Sequence, residues 1–307
     1  MTGKICGTGS YVPSNYLDNN DIAKMVDTND QWIKERTGIV KRHIVTDDTT
    51  VSMASKAAIK ALQDAKMDPE ELDLILVSTI SPNIILPCTA CEVQKEIHAV
   101  NATGFDLNAA CTGFLFAYNT AQAYITSGLY KNILVIGSES LSKIVDWKDR
   151  GTCILFGDGA GAVVIRAEDA GINSTITHSD GEKGEALTCD YGSCIHMDGQ
   201  AVFRFAVKQV TSCLEELLEK NDLSTEDIDF FILHQANKRI VEAVAKRLKV
   251  SVEKFPMNLQ EYGNTSSASI PILLDELNKK EILKPGNKII MAGFGAGLSW
   301  GATLTQW

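Results

Sequence analysis

The chain has 307 residues, 45% of them apolar, enough for one large core or two closely packed halves. A net charge of −10 argues against general affinity for nucleic acid. No apolar run reaches membrane-span length and no signal peptide opens the chain, so a cytoplasmic protein is expected, and its eight cysteines do not read as a disulfide framework.

Met1 to Gly7 reads as a short strand running into a glycine turn. Met67-Asp-Pro-Glu-Glu-Leu-Asp leads into a second apolar strand ending at Ser78. Cys88-Thr-Ala-Cys91 has the spacing of a redox or metal motif, but no second pair and no nearby His completes a zinc set. Small buried residues at a helix start are the better reading of that pair. Asp106-Leu-Asn-Ala-Ala-Cys111-Thr-Gly places a cysteine after small residues, past a strand and at the head of a long apolar run. A helix N-terminus there would stabilise a thiolate through its dipole and free N–H groups.

Two glycine-rich segments loosely fit a dinucleotide fingerprint: Gly157-Asp-Gly-Ala-Gly and Gly293-Phe-Gly-Ala-Gly. Each is followed by a strand pattern, so neither sets phosphate at a helix N-terminus. Such loops suit close backbone approach instead, for instance N–H groups aimed at an oxyanion. Between them lies Phe230-Phe-Ile-Leu-His234, a histidine at the end of a buried strand. Gly263-Asn264-Thr-Ser places an amide at a turn before another helix start. A cysteine, a histidine and an asparagine at three such mouths make a nucleophile with two polar partners.

The chain also repeats itself. Met67 to Ser78 reads like Leu223 to His234, an offset of 156. The same offset lays Cys111 on Ser267 and Asn132-Ile-Leu-Val-Ile-Gly on Lys288-Ile-Ile-Met-Ala-Gly. The period is too long for a solenoid. Two α/β halves related by a pseudo-twofold axis are expected, residues 1–170 carrying Cys111 and residues 171–307 carrying His234 and Asn264. Each half reads as helix, strand, small-residue helix, strand.

Along its length the chain resembles the thiolase-fold condensing enzymes, specifically β-ketoacyl-acyl-carrier-protein synthase III. The resemblance rests on Gln31-Trp32-Ile-Lys-Glu-Arg36-Thr37-Gly, Ala109-Ala-Cys111-Thr-Gly-Phe, Arg150-Gly-Thr-Cys-Ile-Leu-Phe-Gly-Asp-Gly-Ala-Gly, His234-Gln-Ala-Asn237, Gly263-Asn264-Thr-Ser and Gly293-Phe-Gly-Ala-Gly-Leu-Ser-Trp-Gly. It implies a layered αβαβα fold and a homodimer. It also implies a two-step reaction with no resident cofactor or metal. An acyl-CoA, commonly acetyl-CoA, acylates Cys111. Malonyl-acyl carrier protein then loses CO₂ and attacks the acyl group, giving a 3-ketoacyl-carrier protein.

By the same resemblance, His234 and Asn264 stabilise the enolate. The N–H groups of Cys111 and Ala296 form the oxyanion hole; the family often has glycine at the second position, and a backbone donor survives that change. Trp32, Arg36, Thr37, Arg150 and Asn237 line the coenzyme A entrance, with Trp32 on one face of the adenine and Arg150 on the other. Arg204, Arg239, Lys246 and Arg247 meet the acidic carrier protein. The acyl-pocket gate, often Phe and contributed across the dimer interface, falls on Leu86, which puts an acetyl-only preference in doubt. Three other readings compete: a relative serving secondary metabolism, a non-catalytic partner keeping the fold, and a Cys-His-Asn hydrolase.

Overall fold

The structure is a computed structural model that describes residues 1–307. Two sheets dominate it. The first runs, in spatial order, Thr2–Tyr11, Gly159–Glu168, Asn132–Glu139, Leu74–Ser78 and Thr103–Leu107. The second runs Phe230–Leu233, Lys288–Gly295, Ser299–Gln306 and Asn173–Ser179. Five strands from residues 2–168 thus build one of these sheets and four strands from 173–306 the other.

The period-2 pattern of the strands sends alternate residues to opposite layers. On the first sheet Leu74, Leu76, Ile133 and Val135 face the interior, where they meet Phe114 and Tyr118 of the Gly113–Thr126 helix. Ile75, Val77, Leu134 and Ile136 face the opposite way, onto the Thr50–Ala65 and Thr89–Glu96 helices. The second sheet repeats the plan. Ile289 and Met291 point inward to Leu273 and Leu274 of the Ser269–Lys279 helix. Ile290 and Ala292 point outward to the Gly199–Lys220 and Lys238–Leu248 helices. The layers are therefore helices, sheet, two central helices, sheet, helices.

The 156-residue offset recurs among the element boundaries. It carries Asn132–Glu139 onto Lys288–Gly295 and places the Gly113 helix start on Ser269. It also pairs backbone singularities: Lys66 with Asp222 (φ 50° and 53°) and Ala110 with Ser266 (φ 47° and 49°). The simple four-element order is incomplete for the first half. The Thr103–Leu107 strand has no counterpart after the Lys238–Leu248 helix, so the sheets have five and four strands. Both glycine-rich segments run into strands, Gly159–Glu168 and Ser299–Gln306. Cys88 and Cys91 are free thiols at the start of the Thr89–Glu96 helix, their sulfurs 3.4 Å apart. No helix is long and apolar enough to cross a membrane.

Candidate active site

Cys111 sits in a single 3-10 turn, Ala110–Thr112, wedged between the Thr103–Leu107 strand and the Gly113–Thr126 helix. The fit is close on two sides. A Cβ at Gly113 would lie 2.0 Å from Ser78 Oγ, and one at Gly295 would lie 2.9 Å from Cys111 Cβ. Only glycine lets the end of the Lys288–Gly295 strand reach the cysteine backbone. Burial pushes the Cys111 thiol up to about 12, the adjacent Ser266 side chain lowers it and the nearby Glu139 carboxylate raises it again. Desolvation is the largest influence on the sulfur, and it opposes the stabilisation that a helix start offers a thiolate.

His234 follows the Phe230–Leu233 strand and prolongs its pairing by donating its N–H to Ala292 O at 2.8 Å. Its ring is buried and meets Phe294 edge-on at 5.0 Å. Burial lowers its pKa to about 3, so the imidazole is neutral at physiological pH. Its tautomer follows from its neighbours. The Gln235 N–H donates to Ser269 Oγ at 3.3 Å, and that hydroxyl lies 2.7 Å from His234 Nδ1. With Ser269 donating to Nδ1, the ring proton stands on Nε2.

Asn264 is oriented in the same manner. Its backbone is tied to the 155–157 segment through Leu155 O at 2.8 Å and Gly157 N at 3.0 Å. Its Oδ1 accepts from the Ser266 N–H at 2.9 Å, which leaves Nδ2 as the free donor. Cys111, His234 and Asn264 all line one cleft of ≈ 780 Å³. Cys111 also lines a second cavity of ≈ 780 Å³, together with Ala296, Ser266 and Ile85. Cys111 and Phe156 stand where the two meet. The structure thus sets the Cys111 thiol at the junction of two cavities, in one cleft with the His234 imidazole and the Asn264 amide.

The first cleft opens past Trp32. Arg150 lies over the Trp32 ring at 5.1 Å and Arg36 at 5.9 Å. Arg150 thus covers the indole face of Trp32 by a cation–π contact. Two further predicted contacts are committed elsewhere. The Thr37 hydroxyl donates to Ile33 O at 2.7 Å and accepts from the Ile39 N–H at 3.0 Å, closing its own helix. Asn237 caps the Lys238–Leu248 helix through the Arg239 N–H and donates to Arg36 O at 3.1 Å. Both line the cleft, and Asn237 keeps one Nδ2 hydrogen beyond these contacts.

Arg239 lies at the mouth, its guanidinium over the Phe203 ring at 5.5 Å. Arg204 is exposed on the adjoining Gly199–Lys220 helix. Lys246 and Arg247 are exposed about 10–12 Å farther along the Lys238–Leu248 helix. Leu86 is 82% exposed and does not line its own chain's cavity; Ile84 and Ile85 do. The His178–Gly199 segment has a definite place. Residues 187–197 form a small hairpin that walls both cavities, Leu187 lining each.

Ser266, Ser269, Phe156, Phe294 and Glu139 carried no role in the sequence reading. The two serines stand two and five residues after the asparagine in the Gly263-Asn264-Thr-Ser-Ser-Ala-Ser run, and that run of hydroxyls was the available signal. Nothing local marks Glu139, which is wholly buried against Thr79, Ser81 and Ser267.

With this geometry, comparison with known proteins is consistent across the chain. A family model described as 3-oxoacyl-[acyl-carrier-protein (ACP)] synthase III matches residues 105–181, and its C-terminal companion matches residues 218–307. A β-ketoacyl-[acyl-carrier-protein] synthase III of Clostridium acetobutylicum is 50% identical, covering 99% of this chain and 98% of that protein. The crystal structure of 3-oxoacyl-[acyl-carrier-protein] synthase III from Aquifex aeolicus matches with a TM-score of 0.98 at 46% identity, covering 99% of this chain and 100% of that one. A priming β-ketosynthase of a polyketide biosynthetic pathway matches with a TM-score of 0.95 at 35% identity, covering 99% and 96%. The chain belongs to the β-ketoacyl-acyl-carrier-protein synthase III family of thiolase-fold condensing enzymes.

Proposed function

We propose that this protein condenses a short acyl-CoA with malonyl-acyl carrier protein, giving 3-ketoacyl-carrier protein and CO₂, the opening step of fatty acid synthesis. The observation that carries the reading is Cys111 at the meeting point of two cavities, faced by two oriented donors. Cys111 Sγ attacks the thioester carbonyl, the carbon–sulfur bond to CoA breaks, and the thiol proton ends on the departing CoA. The N–H groups of Cys111 and Ala296 receive the oxyanion. Malonyl-carrier protein then enters the same cleft. Its carbon–carboxylate bond breaks, CO₂ leaves, and the electron pair develops on the thioester oxygen. His234 Nε2–H and Asn264 Nδ2–H donate to that oxygen, where preorganised neutral donors in a dry site are most effective. The enolate carbon attacks the acyl carbonyl and expels Cys111, which regains a proton from solvent. Incubating the protein with acyl-CoA and malonyl-carrier protein tests this directly; a carrier protein that gains no 3-ketoacyl mass overturns it.

No resident cofactor is called for, coenzyme A arriving as part of the substrate. The expected partners are the carrier protein and a second copy of the chain. The Thr103–Leu107 strand is paired on one side only, and Ile85 and Leu86 are 78% and 82% exposed beside it. An open edge with bare apolar side chains suits pairing across a dimer axis. The likeness to a polyketide priming β-ketosynthase supports a second reading, in which the same chemistry serves secondary metabolism. The acyl-CoA preference separates the two.

Charge reversal at Arg239 is expected to raise KM for malonyl-carrier protein by roughly fivefold to tenfold and to spare acylation by acyl-CoA. Arg247→Glu, farther from the mouth, is expected to act in the same direction and less strongly. Both effects should fade with added salt, since exposed charges are screened over about 10 Å at 0.1 M. An unchanged KM in Arg239→Glu counts against this docking face.

Leu86 is the proposed gate of the partner's acyl cavity. Leu is smaller and more adaptable than Phe, so acyl groups longer or more branched than acetyl are expected to be accepted. Each methylene that fits contributes about 0.8 kcal/mol, roughly fourfold in kcat/KM. Leu86→Phe is expected to return the preference toward acetyl-CoA. Identical profiles over acetyl-, butyryl-, isobutyryl- and hexanoyl-CoA would remove Leu86 from the gate.

A further inference from the structure

Glu139 ends the Asn132–Glu139 strand, wholly buried. One carboxylate oxygen accepts from Thr79 Oγ1 at 3.2 Å, the Ile80 N–H at 3.1 Å and Ser81 Oγ at 2.7 Å. The other accepts from Ser267 Oγ at 2.9 Å. All four donors are neutral. Burial raises the Glu139 pKa to about 6 and the hydrogen bonds only partly offset it, so the group is ionised at neutral pH with no cation beside it. A buried charge without a counter-ion weakens the fold. The condensation chemistry makes no use of it.

Its partners show what it holds. Thr79, Ile80 and Ser81 form the root of the segment whose Ile84 and Ile85 wall the second cavity. Ser81 is fixed twice more, by the Ser140 N–H at 2.8 Å on its hydroxyl and by Thr50 Oγ1 at 2.6 Å on its carbonyl. Ser267 stands in the turn equivalent to that of Cys111 and also reaches Ser78 O at 3.0 Å. The carboxylate is the shared acceptor between the cavity wall and the turn facing the nucleophile.

We propose that Glu139 is a positioning residue that sets acyl chain-length selectivity, by fastening the Thr79–Ser81 root of the cavity wall to the Ser267 turn. The inference rests on the reading of that cavity as the acyl site. An ionised carboxylate only accepts, which matches its four donors. Protonated, it must donate one hydrogen, and one of those contacts is broken or reversed. Selectivity is thus held above the Glu139 pKa and relaxes as pH falls through about 6. Cys111 is the ionisable side chain on which its charge acts. Asp106, Lys143, Cys189, Asp190 and Cys194 line the same cavity, and none of them hydrogen-bonds to Glu139.

Glu139→Gln fills the same space but replaces one acceptor oxygen by a donor NH2, so the Ser267 contact, or the contacts at the root, must break or reverse as they do in the protonated acid. Because the ionised group opposes folding above its pKa, the variant is expected to denature at or above the wild-type midpoint near pH 8, with no gain near pH 4.

The test is Cys111 acylation by acetyl-, butyryl-, hexanoyl- and octanoyl-CoA, read as the ratio of kcat/KM between the best substrate and the next longer one. The ratio cancels any pH dependence common to both substrates. In Glu139→Gln it is expected to fall by roughly fourfold or more, the worth of one methylene, at about pH 8. The wild-type ratio is expected to fall likewise at about pH 5, and that of the variant to stay constant. A variant that keeps the wild-type ratio overturns the inference. Should Glu139→Gln fail to fold, Ser267→Ala carries the test: the same fall supports the clamp and an unchanged ratio overturns it. Wild-type protein that no acyl-CoA labels would instead refute the functional reading; selective wild type with an equally selective variant refutes only the role of Glu139.

Discussion

Replacing Cys111 by alanine is expected to abolish acyl-enzyme formation and to drop condensation on the order of 10⁴–10⁶-fold, as when the nucleophile is removed from other covalent catalysts. Cys111→Ser is expected to do nearly as much. Its hydroxyl is a far weaker nucleophile at neutral pH, and the site supplies no resting base to activate it. His234 is neutral with its proton on the cavity side, held so by Ser269. The fold should survive both changes, since the turn is set by Gly113 and Gly295 and not by the sulfur. CoA release on mixing with acyl-CoA is the measurement. Undiminished release from Cys111→Ala would place the nucleophile elsewhere.

His234→Ala and Asn264→Ala are each expected to slow decarboxylation by about 10²–10³-fold, the usual loss for one oxyanion donor. Acyl transfer to Cys111 should fall far less. The division follows from which atoms are free. Asn264 presents Nδ2 because Oδ1 is held by the Ser266 N–H, and His234 presents Nε2 because Nδ1 is held by Ser269. Both therefore donate, and donors serve the enolate oxygen. CO₂ release from malonyl-carrier protein and CoA release from acyl-CoA follow the two half-reactions separately. Equal losses in both would refute the assignment. Asn264 also ties two segments through its backbone, which alanine retains.

That Cys111, His234 and Asn264 stand out was legible in the sequence because each lies at a break in pattern, a strand end, a helix start or a glycine turn, and the fold brings them to one cleft. The repeat was legible because the halves kept one register between the strand after Met67 and the one after Lys288. The left-handed residues at Ala110 and Ser266 were not, since neither is the glycine or asparagine that announces such a backbone. A helix start, which favours a thiolate at Cys111, is visible in a sequence, whereas the burial that opposes it is a property of the assembled layers. Glu139 illustrates the same limit, its donors lying 58 to 128 residues away along the chain. Thr37 and Asn237 stand where the family motif puts them, yet their polar atoms close local helices. A motif gives position; the hydrogen-bond ledger decides what is left to offer a ligand.

The central claim is that Cys111 carries the acyl group. Intact mass spectrometry and peptide mapping, after mixing the protein with acetyl-, butyryl- and isobutyryl-CoA, test it most directly. One acyl mass per chain is predicted, confined to the peptide holding Cys111 and discharged on addition of malonyl-carrier protein. Absence of any adduct, or an adduct on Cys88, Cys91 or Cys153 that malonyl-carrier protein does not remove, would contradict it.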